Sequence, residues 1–110
     1  IKKMALEHDH CDAAVLPSTQ VQPCNHEKEY PQCISNYPMD TYHRWMQVVV
    51  PVSLIGLPAI NLPAGFCKNK MPFGIQLIGK QFSDNNLLNI AEGWHSATSF
   101  PEKYPPIFAN

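Results

Sequence analysis

Two short runs, Ala59-Ile-Asn-Leu-Pro-Ala64 and Phe73-Gly-Ile-Gln-Leu-Ile-Gly79, decide the fold of this 110-residue chain. In each run, apolar side chains alternate with other residues, which is the pattern of a strand with one buried face. A polar stretch, residues 65–72, links the two runs, so the pattern predicts an antiparallel hairpin. Pro63 cannot donate a backbone hydrogen bond, so we expect it at a sheet edge or near a strand end.

The segment after the hairpin has the clearest helical pattern in the chain. Its apolar residues recur at helical spacing and form one stripe, made of Leu87, Leu88, Ile90, Ala91, Trp94 and Ala97. Ser83 is positioned to cap this helix, Asp84 complements its dipole, and Phe82 is placed to pack onto Leu87. Gly93 lowers the helix propensity, which indicates close packing at that point.

A shorter helix is predicted before the hairpin. Asp40 offers an N-cap carboxylate, and an apolar face follows it at helical spacing, made of Tyr42, Trp45, Met46, Val49 and Val50. Pro51 lacks an N–H and clashes with the preceding turn, so we expect it to end or kink this helix. Gly56 and Pro58 then mark the turn that leads into the hairpin.

The first part of the chain is less regular. Ala13-Ala-Val-Leu16, stopped by Pro17, predicts a short buried strand. Residues 18–38 are polar and interrupted by prolines, so we expect a long loop that lies across another part of the protein. Residues 1–10 have the pattern of the exposed end of a helix that begins before Ile1, and the tail after Thr98, with Pro101, Pro105 and Pro106, is expected to be irregular.

Composition excludes several classes of function. Eight Lys and Arg residues are offset by nine Asp and Glu residues, so nothing indicates a nucleic-acid partner. Residues 48–60 are the longest apolar stretch, but prolines, a serine and a glycine interrupt it, so we expect no membrane span. No secretory signal is visible, and we therefore expect a cytoplasmic protein with free cysteines.

The predicted order is strand, loop, helix, hairpin and helix, which is an α/β arrangement with a thin sheet. Both helices and the hairpin carry apolar faces that need more partner surface than three strands supply. The open sheet edges also invite association, so a homodimer stays open. We therefore expect residues 1–110 to be an incomplete domain, whose partner is the rest of that domain.

Three blocks carry a resemblance to a known family. They are Ser53-Leu-Ile-Gly-Leu-Pro-Ala-Ile-Asn-Leu-Pro-Ala-Gly-Phe66, Met71-Pro-Phe-Gly-Ile-Gln-Leu-Ile-Gly79 and Phe82-Ser-Asp-Asn-Asn-Leu-Leu-Asn-Ile-Ala91. In this order and spacing they resemble the carboxyl-terminal part of amidase-signature enzymes. The resemblance covers roughly residues 12–100. It implies a fragment of the amidase-signature fold, that is, part of a mixed β-sheet flanked by helices with a β-hairpin.

The resemblance implies hydrolysis of C–N amide bonds in a small-molecule amide. Family members use a serine nucleophile, a second serine after a cis peptide bond and a lysine base, with backbone N–H groups that stabilise the oxyanion. Those residues lie far upstream in the family, and this chain has no matching glycine- and serine-rich loop. We therefore assign no catalytic residue here and expect no metal or other cofactor.

Trp45 and Met46 are the candidate substrate-binding residues. In amidotransferase members of the family that use glutamine, an acidic residue before the Gly-Leu-Pro turn binds the substrate's amino group. An ungapped alignment places Met46 at that position, beside Trp45. Because apolar side chains cannot pair with an ammonium, we expect an apolar or aromatic amide substrate. Their helical spacing favours a role in the core over a role in binding.

Other groupings carry weaker signals. His8, His10, Cys11, Cys24, His26 and Cys33 have the atoms of a zinc site but no familiar zinc spacing. Cys67 and His95 have the residue types of a nucleophile and its base, but nothing in the sequence orients them. Ser18 and Thr19 lie outside any Gly-x-Ser-x-Gly elbow, which favours a turn.

The sequence therefore predicts the carboxyl-terminal segment of an amidase. Two alternatives are a non-catalytic binding module derived from the amidase fold and a small metal-binding domain. Because the catalytic residues lie outside this chain, the sequence leaves open whether the chain takes part in an active enzyme. A measured equivalent of zinc would favour the metal-binding domain.

Overall fold

The structure is a computed structural model that describes residues 11–103. Its elements are β1 (Ala13–Pro17), β2 (Cys33–Ile34), β3 (Tyr37–Pro38), α1 (Val50–Ile55), β4 (Ala59–Phe66), β5 (Pro72–Gly79) and α2 (Asp84–Thr98), with 3-10 helices at Arg44–Met46 and Phe100–Glu102. The expectation of a helix end within residues 1–10, and that of an irregular tail at Pro105 and Pro106, lie outside the described residues.

The predicted hairpin is confirmed. Strands β4 and β5 pair antiparallel, with Leu62 opposite Ile75 and Ile60 opposite Leu77. The sheet order is β1-β5-β4, so Pro63 lies on an edge strand, as expected. The register shifts between Pro63 and Gly65, and Gly65 adopts a φ of 119°, a conformation that favours glycine at a bulge.

Strand β1 forms where the sequence predicts it and pairs antiparallel with β5, with Val15 opposite Leu77. The prediction that this strand is buried is wrong for the described part of the chain. Val15 is 57% exposed and Leu16 is 40% exposed. Val15 and Leu16 point to opposite faces of the sheet, and within residues 11–103 neither face has an element that covers them.

Helix α2 packs on one face of the sheet and completes the core. The buried residues of this core are Leu62, Leu77, Leu87 and Ala91, with Ile60, Ile75, Ile90 and Trp94 packed around them. Trp94 Nε1 also donates a hydrogen bond of 2.9 Å to the carbonyl oxygen of Pro63, which ties the helix to the edge strand. The apolar stripe of α2 therefore forms the buried face that its spacing predicts.

Three details at the ends and middle of α2 differ from prediction. The Ser83 hydroxyl donates to the Lys80 carbonyl oxygen at 2.7 Å and makes no cap to the helix. Phe82 is 90% exposed, so it does not pack onto Leu87. A Cβ at Gly93 would meet no atom within 4 Å, so this glycine marks no close approach among the described residues.

The helix predicted from Asp40 to Pro51 forms as two short pieces. The first is the 3-10 turn at Arg44–Met46, and the second, α1, begins at Val50, so Pro51 lies in its first turn. Proline is well tolerated there because the N–H it lacks has no partner within the helix. Asp40 makes an ion pair of 3.0 Å with Arg44 in place of the predicted cap.

Residues 18–38 form the predicted loop, with one regular feature. Strands β2 and β3 pair as a two-residue hairpin, in which Ser35 and Asn36 have φ angles of 48° and 68°. Two consecutive positive φ angles are the signature of a tight type I′ turn. The loop also contacts the turn between β4 and β5, where Asn69 Nδ2 donates a hydrogen bond of 3.2 Å to Gln22 Oε1.

The described chain is a thin slab, with extents of 42 × 40 × 18 Å and a radius of gyration of 15.9 Å. A compact domain of about 100 residues has a radius of gyration of about 13 Å. Large side chains stay exposed on several elements, namely Val15, Tyr37, Leu54, Phe82 and Leu88. The fold class is the predicted one, α/β, and the described strands form small antiparallel sheets, consistent with a fragment of the amidase fold.

Candidate functional site

A cavity of about 620 Å³ lies between the loop after β1, the 3-10 turn at Arg44–Met46 and the sheet. Alternation along the strands places Asn61 and Gly74 on the sheet face opposite the one that α2 covers. A volume of this size is typical of small-molecule sites. Its lining is mainly apolar, with polar side chains that include Ser18, Thr19, Gln22, Glu29 and Asn61.

Hydrogen bonds to the sheet hold the walls of the cavity. Gln76 is buried, and its Nε2 donates to the carbonyl oxygens of Pro17 at 3.1 Å and Val48 at 3.0 Å. The Ser18 N–H donates to the Gly74 carbonyl oxygen at 3.1 Å. A Cβ on Gly74 would lie 2.6 Å from Ser18 Oγ and 3.1 Å from the Leu62 carbonyl oxygen, so glycine favours this close approach of the loop.

Trp45 and Met46, the two candidate substrate-binding residues, both line this cavity. Trp45 packs edge-on against Tyr42, with ring centroids 5.9 Å apart, and Tyr42 packs edge-on against Tyr30 at 5.8 Å. Trp45 Nε1 is buried and has no hydrogen-bond partner among residues 11–103. The two side chains therefore form an aromatic and apolar wall, and their role in binding stays a prediction.

The hydroxyl groups in the cavity have no activating base in the described part of the chain. Ser18 and Thr19 both line the cavity, and Thr19 Oγ1 accepts a weak hydrogen bond of 3.4 Å from the Val21 N–H. Within the described residues, no side-chain hydrogen bond joins a serine, threonine or cysteine to a histidine or lysine side chain. Nucleophilic catalysis by a hydroxyl requires such a base.

Cys67 and His95 do not form a catalytic pair. Cys67 lies in the turn between β4 and β5, where its backbone N–H donates to the Met71 carbonyl oxygen. His95 lies on α2, and its Nε2 is 2.6 Å from Glu102 Oε1. The hydrogen bond and the charge of Glu102 raise the pKa of His95 above its ordinary value. This histidine therefore forms an ion pair with Glu102 near the end of α2.

The residues that have the atoms of a zinc site do not come together among the described residues. Cys24 lines the cavity, whereas Cys33 lies in β2, and Cys11, Cys24, Cys33 and Cys67 are all free thiols. His8 and His10 lie outside the described residues. Across residues 11–103, no three His, Cys, Asp or Glu side chains come together to hold a metal ion.

Sequence reasoning missed several residues of the cavity. Glu29 and Tyr30 come from the long loop, and Asn61 points from β4 into the same space. Alternation could have placed Asn61 on the face opposite Leu62. The sequence could not have placed Glu29 at the cavity, because an irregular loop has no periodicity that fixes its path.

In the described part of the chain, no helix is long and apolar enough to cross a membrane.

The chain resembles known proteins over most of its length. The family model described as Amidase matches residues 1–88. The A subunit of glutamyl-tRNA(Gln) amidotransferase from Dehalococcoides mccartyi is 33% identical over 96 residues, 87% of this chain and 18% of that protein. The Clostridium novyi protein of the same name is 36% identical over 89 residues, 81% of this chain and 17% of its own length.

A third relative matches a shorter stretch more closely. The protein of the same name from Brevibacillus brevis is 41% identical over 56 residues, 51% of this chain and 11% of that protein. The chain therefore spans less than a fifth of the length of these curated relatives. No solved structure matches it.

Proposed function

The chain belongs to the amidase family, and from that premise we propose that it is the carboxyl-terminal portion of an amidase domain. In the complete protein, this domain hydrolyses C–N amide bonds with serine, cis-serine and lysine residues outside this chain. The match to the family model over residues 1–88 supports this. The exposed Val15, Leu16 and Leu88 side chains also need a covering partner.

The observation that carries the proposal is the place of the cavity within the family match. Every residue that lines the cavity lies within residues 1–88, the stretch that the family model covers. The residues around this cavity of about 620 Å³ are therefore suited to form one wall of a substrate site. Trp45 and Met46 supply an apolar surface there, which favours an apolar or aromatic amide.

The proposed partners follow from the same features. The main partner is the remainder of the amidase domain, which would cover β1 and the outer side of α2. The relatives are named as subunits of an amidotransferase, so association with further subunits belongs to the proposal, as does a homodimer. A cytoplasmic location also stays a proposal.

A graft tests this function. The chain replaces the matching segment of the Dehalococcoides mccartyi relative, and ammonia release from benzamide is measured. We expect turnover by the graft and none above buffer by the isolated 110-residue chain. Trp45→Ala in the graft should raise the KM for benzamide, whereas Phe82→Ala, at a side chain 90% exposed, should not.

Two results would contradict the proposal. One is a graft that folds cooperatively and releases no ammonia from either benzamide or glutamine. The other is sustained amide turnover by the isolated chain that survives repurification, because such turnover needs catalytic residues that we place elsewhere.

A further inference from the structure

One charged side chain stands out in the cavity. Among the described residues, Glu29 is the only Asp, Glu, Lys or Arg that lines it, although Glu27 and Lys28 lie beside it in the same loop. The ion pairs among residues 11–103 join Arg44 to Asp40 and His95 to Glu102, so neither one neutralises Glu29. Within this part of the chain, a carboxylate without a cationic partner thus faces the space in which a ligand would bind.

The aromatic residues that line the cavity also suit a positively charged ligand. Tyr30 and Trp45 line the cavity and are connected through Tyr42 by two edge-to-face ring contacts. Aromatic ring faces attract organic cations, most strongly in the case of tryptophan. Apolar groups such as Met46 and Phe73 complete the lining. A carboxylate and aromatic rings around an otherwise apolar space favour a molecule that is both apolar and positively charged.

We infer that the cavity takes an amide whose apolar body carries a protonated amine, with the ammonium paired to Glu29 and the body against Trp45 and Met46. Calling this molecule a substrate rests on the proposed function, but its binding does not require turnover. Met46 does not exclude an ammonium from the site, because the loop supplies the carboxylate from another wall. The Asn61 and Ser18 polar groups remain available to the amide group itself.

Binding of two matched probes tests this inference. Para-aminomethylbenzamide is cationic at neutral pH, and para-hydroxymethylbenzamide has nearly the same shape without the charge. Dissociation constants are measured by calorimetry on the full 110-residue chain at low ionic strength. Because Glu29 is exposed, we expect the cationic probe to bind about threefold to tenfold more tightly, and added salt to reduce this ratio.

Two variants separate the site from the general charge of the loop. Glu29→Gln should bring the ratio of the two dissociation constants to about one. Glu27→Gln removes the same charge two residues away, outside the cavity, and keeps an oxygen that can accept from Asn25 Nδ2, so it should leave the ratio unchanged.

Several results would overturn the inference. They are equal affinity of the chain for both probes, no binding of either probe, a preference that survives Glu29→Gln, and an equal loss in both variants. These measurements record no hydrolysis, so they distinguish this inference from the proposed function. An active graft with no preference for the cationic probe would overturn the inference and leave the amidase proposal standing.

Discussion

Two regions of the molecule differ in how their structure is specified. The hairpin–helix unit, residues 59–98, consists of two eight-residue strands and a fifteen-residue helix, and it contains the buried cluster of Leu62, Leu77, Leu87 and Ala91, whereas the other region buries only Met39 and Val52 among its apolar side chains. The cavity segment, residues 18–55, contains no regular element longer than the six residues of α1. The first region is built from repeating backbone hydrogen bonds, and the second depends on individual contacts to the sheet.

The two regions have different roles: we assign stability mainly to the hairpin–helix unit and binding to the cavity segment. The hairpin–helix unit buries its own apolar face in one cluster, so we expect substitutions there to lower stability most. The cavity segment supplies Glu29, Tyr30, Trp45 and Met46, the side chains that define what the cavity accepts. Sites on loops above a rigid scaffold are common, because loops tolerate variation that a packed core does not.

The largest effect is expected in the core of the hairpin–helix unit. Leu77 is 5% exposed and belongs to the buried cluster with Leu62 and Leu87. Leu77→Ala should lower the free energy of unfolding by about 2–5 kcal/mol, because it leaves a cavity as well as losing apolar burial. Urea denaturation followed by circular dichroism measures the change.

Leu54→Ala is the matched control, since Leu54 is 80% exposed on α1. Its effect should stay within about 0.5 kcal/mol. Equal losses in the two variants would contradict the assignment of the core to the hairpin–helix unit.

Two glycines should respond with opposite signs. At Gly74 a Cβ would lie 2.6 Å from Ser18 Oγ and 3.1 Å from the Leu62 carbonyl oxygen, so Gly74→Ala should cost about 1–3 kcal/mol. At Gly93 a Cβ meets nothing within 4 Å among the described residues, and Gly93→Ala should stabilise α2 by about 0.5–1 kcal/mol. Thermal melts of both variants measure this, and stabilisation by Gly74→Ala would disprove the close approach of the loop.

Gln76 lies in the hairpin–helix unit and hydrogen-bonds to Val48 of the cavity segment, so its substitution tests whether the two regions stabilise each other. Gln76→Leu removes the hydrogen bonds to the Pro17 and Val48 carbonyl oxygens, and we expect a loss of about 1–2 kcal/mol. Hydrogen exchange should then increase in the cavity segment and change little in α2. Increased exchange throughout the hairpin–helix unit would show that the two regions unfold together.

The smallest effect concerns the ion pair at the end of α2. The hydrogen bond with Glu102 raises the pKa of His95 above 6.5, and the hydrogen bond with His95 lowers the pKa of Glu102 below 4.5. The stabilisation by His95 is fully present below pH 6.5 and is lost as the pH rises through its raised pKa. The stabilisation by Glu102 is present above pH 4.5 and is lost as the pH falls through its lowered pKa.

The pair therefore contributes most between pH 4.5 and 6.5. An NMR titration of His95 should give a midpoint above 6.5, and Glu102→Gln should move it down. Glu92→Gln should move it less, because Glu92 acts only through its charge. An unchanged midpoint in Glu102→Gln would show that the pair does not form in solution.

The parts of the fold that could be predicted are those with local periodicity. Alternation at Leu62 and Leu77 predicts the hairpin, and the spacing of Leu87 and Ala91 predicts the buried face of α2. The interpretation of Pro51 was wrong because a proline near a helical pattern fits either the first turn or the end of a helix. The sequence alone does not decide between these two positions.

The candidate site could be predicted only in part. The resemblance identified Trp45 and Met46, which the structure brings to one cavity, whereas Glu29 reaches that cavity through an irregular loop. Burial of Val15 in β1 was also predicted wrongly for the described residues, because burial depends on neighbours that a strand pattern does not identify. Local patterns encode elements, and the contacts between distant elements require the structure.

The most direct test of the central claim concerns the uncovered apolar side chains. If the chain packs against the rest of an amidase domain, the isolated 110-residue chain should self-associate in sedimentation velocity and bind anilinonaphthalene sulfonate. The variant Val15→Thr, Leu54→Gln, Leu88→Gln should reduce both signals, since these side chains are 57%, 80% and 56% exposed. A monomer that binds no dye at any concentration would contradict the account.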